Sequence, residues 1–221
     1  MASYFNLTLD TLAPSGLVLT INGGVSTVTS ASVTLGISVS DGNTAGYSML
    51  IYGDVGSGLT EESATWEAFS ETKVITLKSG DGMKTVKAKV RDDVGNVSSE
   101  ATVSVLLDTT VPVVTISSGP DHTKISTVSG YDTAAFSFTS DSDFTEYKVK
   151  IVPSTSSTHD TGTQIGTTNG STNMSGSGSF SASTPISCTI KGADLSAAVS
   201  GVNAAYVVKV FVKDTSGLWS V

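Results

Sequence analysis

The sequence predicts an all-β chain folded as two tandem β-sandwich domains, and three observations predict it. Apolar residues recur at every second position over short runs. Strings of Gly, Asn and Asp separate those runs, and the whole series occurs twice. Length agrees, because 221 residues suit two sandwiches of roughly 100 residues each. Composition agrees too. Charged residues make up 14%, against about 25% in an average soluble protein, and Ser, Thr and 22 Gly replace them. That is the chemistry of short strands joined by tight turns.

In the first copy, Leu17, Leu19 and Ile21 alternate, and Asn22-Gly23-Gly24 turns the chain. Val33, Leu35, Ile37 and Val39 form an inward face that stops at Asp41-Gly42-Asn43. Tyr47, Met49 and Ile51 follow, then a segment with Trp66 and Phe69, then Val74, Ile75 and Leu77. Ser79-Gly80-Asp81-Gly82 reads as a tight turn in which glycine supplies positive φ. Val86, Ala88 and Val90 lead to the turn Asp92-Asp93-Val94-Gly95-Asn96, and Val103, Val105 and Leu107 form the last strand.

The landmarks then return. Val90-Arg91-Asp92-Asp93-Val94-Gly95-Asn96-Val97-Ser98 comes back as Val212-Lys213-Asp214-Thr215-Ser216-Gly217-Leu218-Trp219-Ser220. Thr76 to Asp81 comes back as Thr189 to Asp194, and Tyr47 and Ile51 find counterparts in Tyr147 and Ile151. A repeat of this length means two copies of one domain, residues 11–110 and 111–221, preceded by an extra strand in 1–10. The junction falls at Asp108-Thr109-Thr110-Val111-Pro112, where proline suits a strand edge. The copies differ most over 153–185, a Ser/Thr/Gly-rich insertion that replaces the Trp66/Phe69 segment and reads as a long loop or a polar hairpin.

These motifs resemble the immunoglobulin-like repeats of bacterial and phage surface proteins. The resemblance rests on Asp10-Thr11-Leu12-Ala13-Pro14, Trp66-Glu67-Ala68-Phe69, Gly80-Asp81-Gly82-Met83-Lys84-Thr85-Val86 and the Val90–Ser98 turn. It covers most of residues 10–110 and is weaker over 111–221. It implies two immunoglobulin-like sandwiches and a structural role on a virion surface, as a capsid decoration or head-fibre protein. A tail-associated component is the neighbouring alternative, and an adhesin or carbohydrate-binding module of a bacterial surface protein is another. The implied partners are other virion proteins, further copies of the chain and a host-surface glycan.

Charge and cysteine usage narrow the classes further. A net charge of −8, with no basic patch carrying interleaved aromatics, makes nucleic acid and anionic membranes unfavourable partners. No segment approaches the ~20 apolar residues of a membrane helix. The N-terminus shows no basic start and no apolar core of a signal peptide, so the expectation is folding in a host cytoplasm before assembly on the virion. Cys188 is the only cysteine, which rules out an intrachain disulfide. It is read as a packing residue on the strand face opposite Ile186 and Ile190.

No catalytic, cofactor or metal pattern emerges. The histidines are His122 and His159, each beside an aspartate in turn-like sequence, and no Gly-x-Ser-x-Gly elbow leads into a helix. The chain is therefore expected to be no enzyme and to use no cofactor. Trp66, Phe69 and Trp219 are expected as core aromatics, since a sandwich normally buries large rings between its sheets.

The last expectation concerns strand count. Ser98 is followed by a final strand and the 108–112 linker, whereas Ser220 is followed only by Val221. The chain also opens with Phe5-Asn6-Leu7-Thr8-Leu9-Asp10-Thr11-Leu12-Ala13-Pro14, which matches Val103 to Pro112. Phe5, Leu7 and Leu9 are thus candidates for a strand donated to another subunit or to a virion partner, against pairing of residues 4–9 within the first domain with the 153–185 loop covering the other edge.

Calcium is the one metal weighed, because Asp92, Asp93 and Asn96 crowd one turn while Asp10 and Asp108 precede the linker prolines. Capping of backbone amides explains those residues without an ion. Calcium is accordingly expected to be dispensable for folding. The melting temperature should be the same in millimolar calcium and in chelator, and a chelator-reversible rise of many degrees would contradict this.

Overall fold

The computed structural model describes residues 5–221. The chain divides into two compact units, Met1–Thr109 and Thr110–Val221. Each is a pair of β-sheets, and the protein is all-β apart from one short helix.

The first unit contains β1 (Val18–Ile21), β2 (Thr27–Val28), β3 (Ser32–Ser38), β4 (Ser48–Gly53), β5 (Glu67–Ala68), β6 (Thr72–Thr76), β7 (Gly82–Arg91) and β8 (Ala101–Leu107). One sheet runs β1-β3-β6 and the other β2-β8-β7-β4-β5. Neighbours are antiparallel except β2, which lies parallel to β8. Alternation turns one face of each strand inward, as for Val33, Leu35 and Ile37 of β3 and Val86, Ala88 and Val90 of β7. Val105 and Leu107 of β8 complete this aliphatic core. Each such Val, Leu or Ile contributes roughly 1.5–3 kcal/mol by leaving water. On β4 the outer face is buried as well, through Leu50 and Tyr52. The Tyr52 hydroxyl donates to the Glu100 and Glu61 carboxylates, so its polar end is satisfied.

The repeated turn is a carboxylate buckle. Asp92 Oδ1 accepts from the amides of Val94 (3.1 Å) and Asn96 (2.8 Å), and Oδ2 accepts from Asn96 Nδ2 (2.8 Å). Burial alone raises the Asp92 pKa, but these bonds outweigh it and hold the carboxyl below its usual range. Ser98 Oγ then accepts from the Val90 amide (3.0 Å), and the Ser98 amide donates to the Val90 carbonyl (2.8 Å). The second unit repeats the arrangement. Asp214 Oδ1 accepts from Ser216 and Leu218, and Ser220 Oγ accepts from Val212.

The second unit contains β9 (Val114–Ser118), β10 (Thr133–Ser140), β11 (Phe144–Val152), β12 (Thr163–Gln164), β13 (Ser175–Phe180), β14 (Ile186–Lys191), α1 (Gly192–Ala198) and β15 (Val207–Asp214). One sheet runs β14-β10-β9. In the other, β15 pairs with the whole of β11, while β12 and β13 share the opposite edge of β11. Its core is aromatic. Phe138, Phe144, Tyr147 and Phe180 meet at centroid distances of 4.9–6.5 Å, with Phe144 and Phe180 stacked.

Several sequence expectations are corrected in this unit. Tyr147 pairs with Val212 as Met49 pairs with Val90, so Tyr147 occupies the place of Met49 and not that of Tyr47. Asp194 belongs to α1 and not to a turn matching Asp81. Its carboxylate accepts from the Asn169 amide, Asn169 Nδ2 and the Ser171 amide. Cys188 lies on the same inward face as Ile190, as residues two apart in a strand must, and burial pushes its thiol up to about 12. The 153–185 stretch is more than a loop, because β12 and β13 come from it and Ile165 and Met174 are buried in the core.

Phe138 is fully buried at the centre of this aromatic group, so Phe138→Ala should cost the second unit about 3–5 kcal/mol. Each unit holds one tryptophan, Trp66 and Trp219, which allows separate readouts in urea. The Trp219 transition should move to lower urea while the Trp66 transition stays in place. An equal shift at both would show that the units unfold together.

Candidate functional site

The two units differ in what lies beside the strand that carries the buckle. In the first unit, β8 pairs with β7 from Gly82↔Leu107 to Ala88↔Ala101. In the second unit the buckle makes the first bridge of such a pairing, Lys213↔Trp219, matching Arg91↔Val97. No further strand among the described residues pairs with that edge of β15.

The inward residues record the difference. Val86 and Val208 are equivalent by register from the buckle, yet Val86 is 0% exposed and Val208 39% exposed. Ile116 of β9 is 49% exposed, whereas Leu19 and Ile21 of β1 are buried. Between β9 and β15 lies a cleft of about 760 Å³ lined by Ile116, Ala134, Phe136, Ile190, Val208 and Val210, among others. A second cleft of about 230 Å³ continues from it past Val111 to Val114. The lining is mostly apolar and also includes His122, Thr123, Lys124 and Tyr206.

The segment singled out in the sequence lies elsewhere in the chain. Phe5, Leu7 and Leu9 are 83%, 86% and 87% exposed, and residues 5–9 form no strand. Pairing of this segment within the first unit is not found among the described residues; Tyr4 lies outside them. The linker that follows is held by the first unit. Asp10 Oδ1 caps the Leu12 amide, and Asn96 Nδ2 donates to the carbonyls of Asp10 and Leu12 at 3.4 Å each.

The expected core aromatics are placed differently. Phe69 packs against the first core, edge to face with Tyr47 at 6.5 Å. Trp66 and Trp219 belong to neither core, because each ring carries a cation on an outer surface. The Arg91 guanidinium sits 4.5 Å from the Trp66 centroid, and Lys148 Nζ sits 4.4 Å from the Trp219 centroid. His159 also stacks on Trp219 at 4.5 Å. Lysines anchor the loop that brings it there: Lys150 Nζ donates to the His159 carbonyl, and Lys209 Nζ to those of Thr155 and Ser157. The sequence hid this contact, since 60 residues separate the two rings.

Candidate acid–base groups do not converge. His122 pairs with the neighbouring Asp121 on the surface, His159 lies on Trp219, and Cys188 is buried. Among the described residues no three His, Cys, Asp or Glu side chains gather in a way that could hold a metal ion. The turn oxygens of Asp92 are taken up by backbone and Asn96 donors.

Strand order and core define the protein as two tandem immunoglobulin-like β-sandwiches. No family model matches the chain, and no curated protein matches it. Among solved structures, the fibronectin(III)-like modules of Clostridium thermocellum CbhA share 12% identity at a TM-score of 0.43, covering 92% of this chain and 89% of theirs. Chitinase ChiA74 from Bacillus thuringiensis shares 16% at a TM-score of 0.33, over 93% of this chain and 30% of its own. A carbohydrate-binding module from the β-sandwich superfamily shares 12% at 0.35, over 96% and 100%. Likeness at this level brings neither ligand nor activity to the chain.

Burial lowers the pKa of His159; Lys148 and Lys150 act in the same direction, against Asp160 and Glu146. The imidazole on Trp219 should therefore gain its proton only below the ordinary ~6.5. In a Trp66→Phe background, Trp219 fluorescence should titrate with a midpoint below that value, and His159→Gln should abolish the step. A midpoint at or above it would contradict the burial of this ring.

Proposed function

We propose that this chain is a non-enzymatic structural protein of a phage virion surface, a capsid decoration or head-fibre component whose partners are other virion proteins and copies of itself. The observation that carries the reading is one sandwich used twice, with the same carboxylate buckle in both copies. An enzyme gathers reacting groups around one cavity, whereas here the apolar clefts flank a sheet edge and the titratable groups are scattered. The repeat motifs add the resemblance to phage immunoglobulin-like proteins. Contact with a host-surface glycan is a secondary part of the reading.

The alternative is an adhesin or carbohydrate-binding module, and Trp219 on an outer face is what favours it. Its ring is already engaged by His159 and Lys148, which leaves it poorly placed to stack on a sugar.

Purified particles decide between these. Quantitative mass spectrometry should find the chain in many copies, in fixed ratio to the major capsid protein, and antibodies against it should label intact particles. Absence from particles would overturn the virion reading. Glycan binding that Trp219→Ala abolishes would then support the alternative.

A further inference from the structure

We infer that the cleft between β12 and β13, on the outer face of the second unit, binds an acidic sugar, a hydroxylated ligand carrying one carboxylate. It rests on the glycan contact in the proposed function, to which it gives a place and a chemical class, and not on the virion placement.

Strand pairing makes the cleft. The edge of β11 opposite β15 pairs with β13 over Phe144 to Lys148 and with β12 over Lys150 and Ile151, so two strands meet it end to end. Between them Val149 donates to the Met174 carbonyl (2.8 Å) and accepts from the Ile165 amide (3.2 Å). Gln164 Nε2 ties this seam by reaching the carbonyls of Val149, Ile165 and Met174 at 2.6–3.2 Å, which leaves Oε1 as a fixed acceptor. Outside the seam lies a cleft of about 590 Å³. Two glycines line it, because a Cβ at Gly162 would lie 2.0 Å from the Ile151 carbonyl oxygen and one at Gly176 2.4 Å from the Tyr147 ring. Every residue that forms the cleft falls between Phe144 and Phe180, well inside the chain.

The side chains decide what fits. Lys148 meets the Glu146 carboxylate at 3.2 Å, but no carboxylate among the described residues lies within ion-pair distance of Lys150. Lys150 is only 8% exposed, and its ammonium donates to the His159 carbonyl at 2.9 Å. One of its three N–H groups is thereby used. A nearly buried ammonium without a counter-ion is costly, and a carboxylate held in the cleft offsets that cost. Ser175 and Ser177 border the same space from β13, beside Lys148 and Glu146. Neither hydroxyl has a protein partner among the described residues. A sugar acid satisfies the set: its carboxylate takes Lys150, and its hydroxyls donate to Gln164 Oε1 and Glu146 and accept from the serines. A bare inorganic anion would meet Lys150 yet leave those acceptors unused, with Glu146 repelling a second negative charge.

Purified protein and soluble probes test this without particles. Glucuronic acid should bind saturably in an NMR titration, with amide shifts at Gln164, Ser175, Gly176 and Ser177, and added salt should weaken it. Glucose, which lacks the carboxylate, should bind about tenfold more weakly or worse, the scale of losing one charge-assisted hydrogen bond. Lys150→Met should weaken glucuronic acid to the same extent. Lys150 also holds the loop at His159, so Ser175→Val on the exposed strand provides the second variant. It should keep the wild-type circular dichroism and still lose affinity, while Lys78→Met in the first unit changes nothing. Absence of saturable glucuronic acid binding would overturn the proposal, as would shifts confined to other surfaces. So would glucose or inorganic phosphate binding the cleft as tightly, or affinity that both Lys150→Met and Ser175→Val leave unchanged. None of these results bears on copy number in particles, so this proposal and the virion reading fail separately.

Discussion

Each unit is organised around one long strand, β7 or β15, whose end is fixed by an aspartate that bonds its own turn. Strand register has no tolerance for a slip of one residue, because such a slip moves every side chain to the other face. The buckle removes that freedom. Asp92 and Ser98, with their counterparts Asp214 and Ser220, bind amides on both sides of the turn, so the inward series ending at Val90 or Val212 stays inward. The partner strands β4 and β11 take their register from this fixed strand, and the second sheet packs on the face so defined.

The buckle also explains how much of the fold was legible. Asp, Gly and Ser at fixed spacing are turn chemistry and survive as a pattern even when the core residues change, so the repeat could be read. Period-2 runs such as Val33 to Ile37 and Val86 to Val90 were legible for the same local reason. What failed was non-local. Residue type aligns Tyr147 with Tyr47, but pairing with Val212 puts it two residues further along the strand. The size of Trp66 and Trp219 points to places in the cores. Each instead covers part of a charged outer face, where a cation meets the ring. The Ala-rich run after Lys191 was too short for its helical period to compete with the apparent repeat. The apolar cleft has no local signature, because its walls come from β9, β10, β14, β15 and residues 120–125.

The two cores reach a filled interior by different means. The first uses Leu, Ile and Val on nearly every inward position, with Phe69 at its margin. The second concentrates volume in the rings of Phe136, Phe138, Phe144, Tyr147 and Phe180 and adds Met174 and Ile165 from the inserted stretch. That stretch is polar along most of its length, so composition alone hides its two core residues. Close approach is what admits them: at Gly176 a Cβ would lie 2.4 Å from the Tyr147 ring, and only glycine lets β13 run past it.

The same strand gives the second sheet a direction. β13 reads Ser-Gly-Ser-Gly-Ser-Phe, it is mostly exposed, Gly178 holds φ at +146°, and its register against β11 shifts once. A chain approaching that side meets a kinked backbone with almost no apolar side chains, and gains hydrogen bonds without burying anything. The β15 side is regular and borders an apolar groove. The two margins of the sheet are therefore unlike, one kinked and polar, the other regular and bordered by apolar side chains.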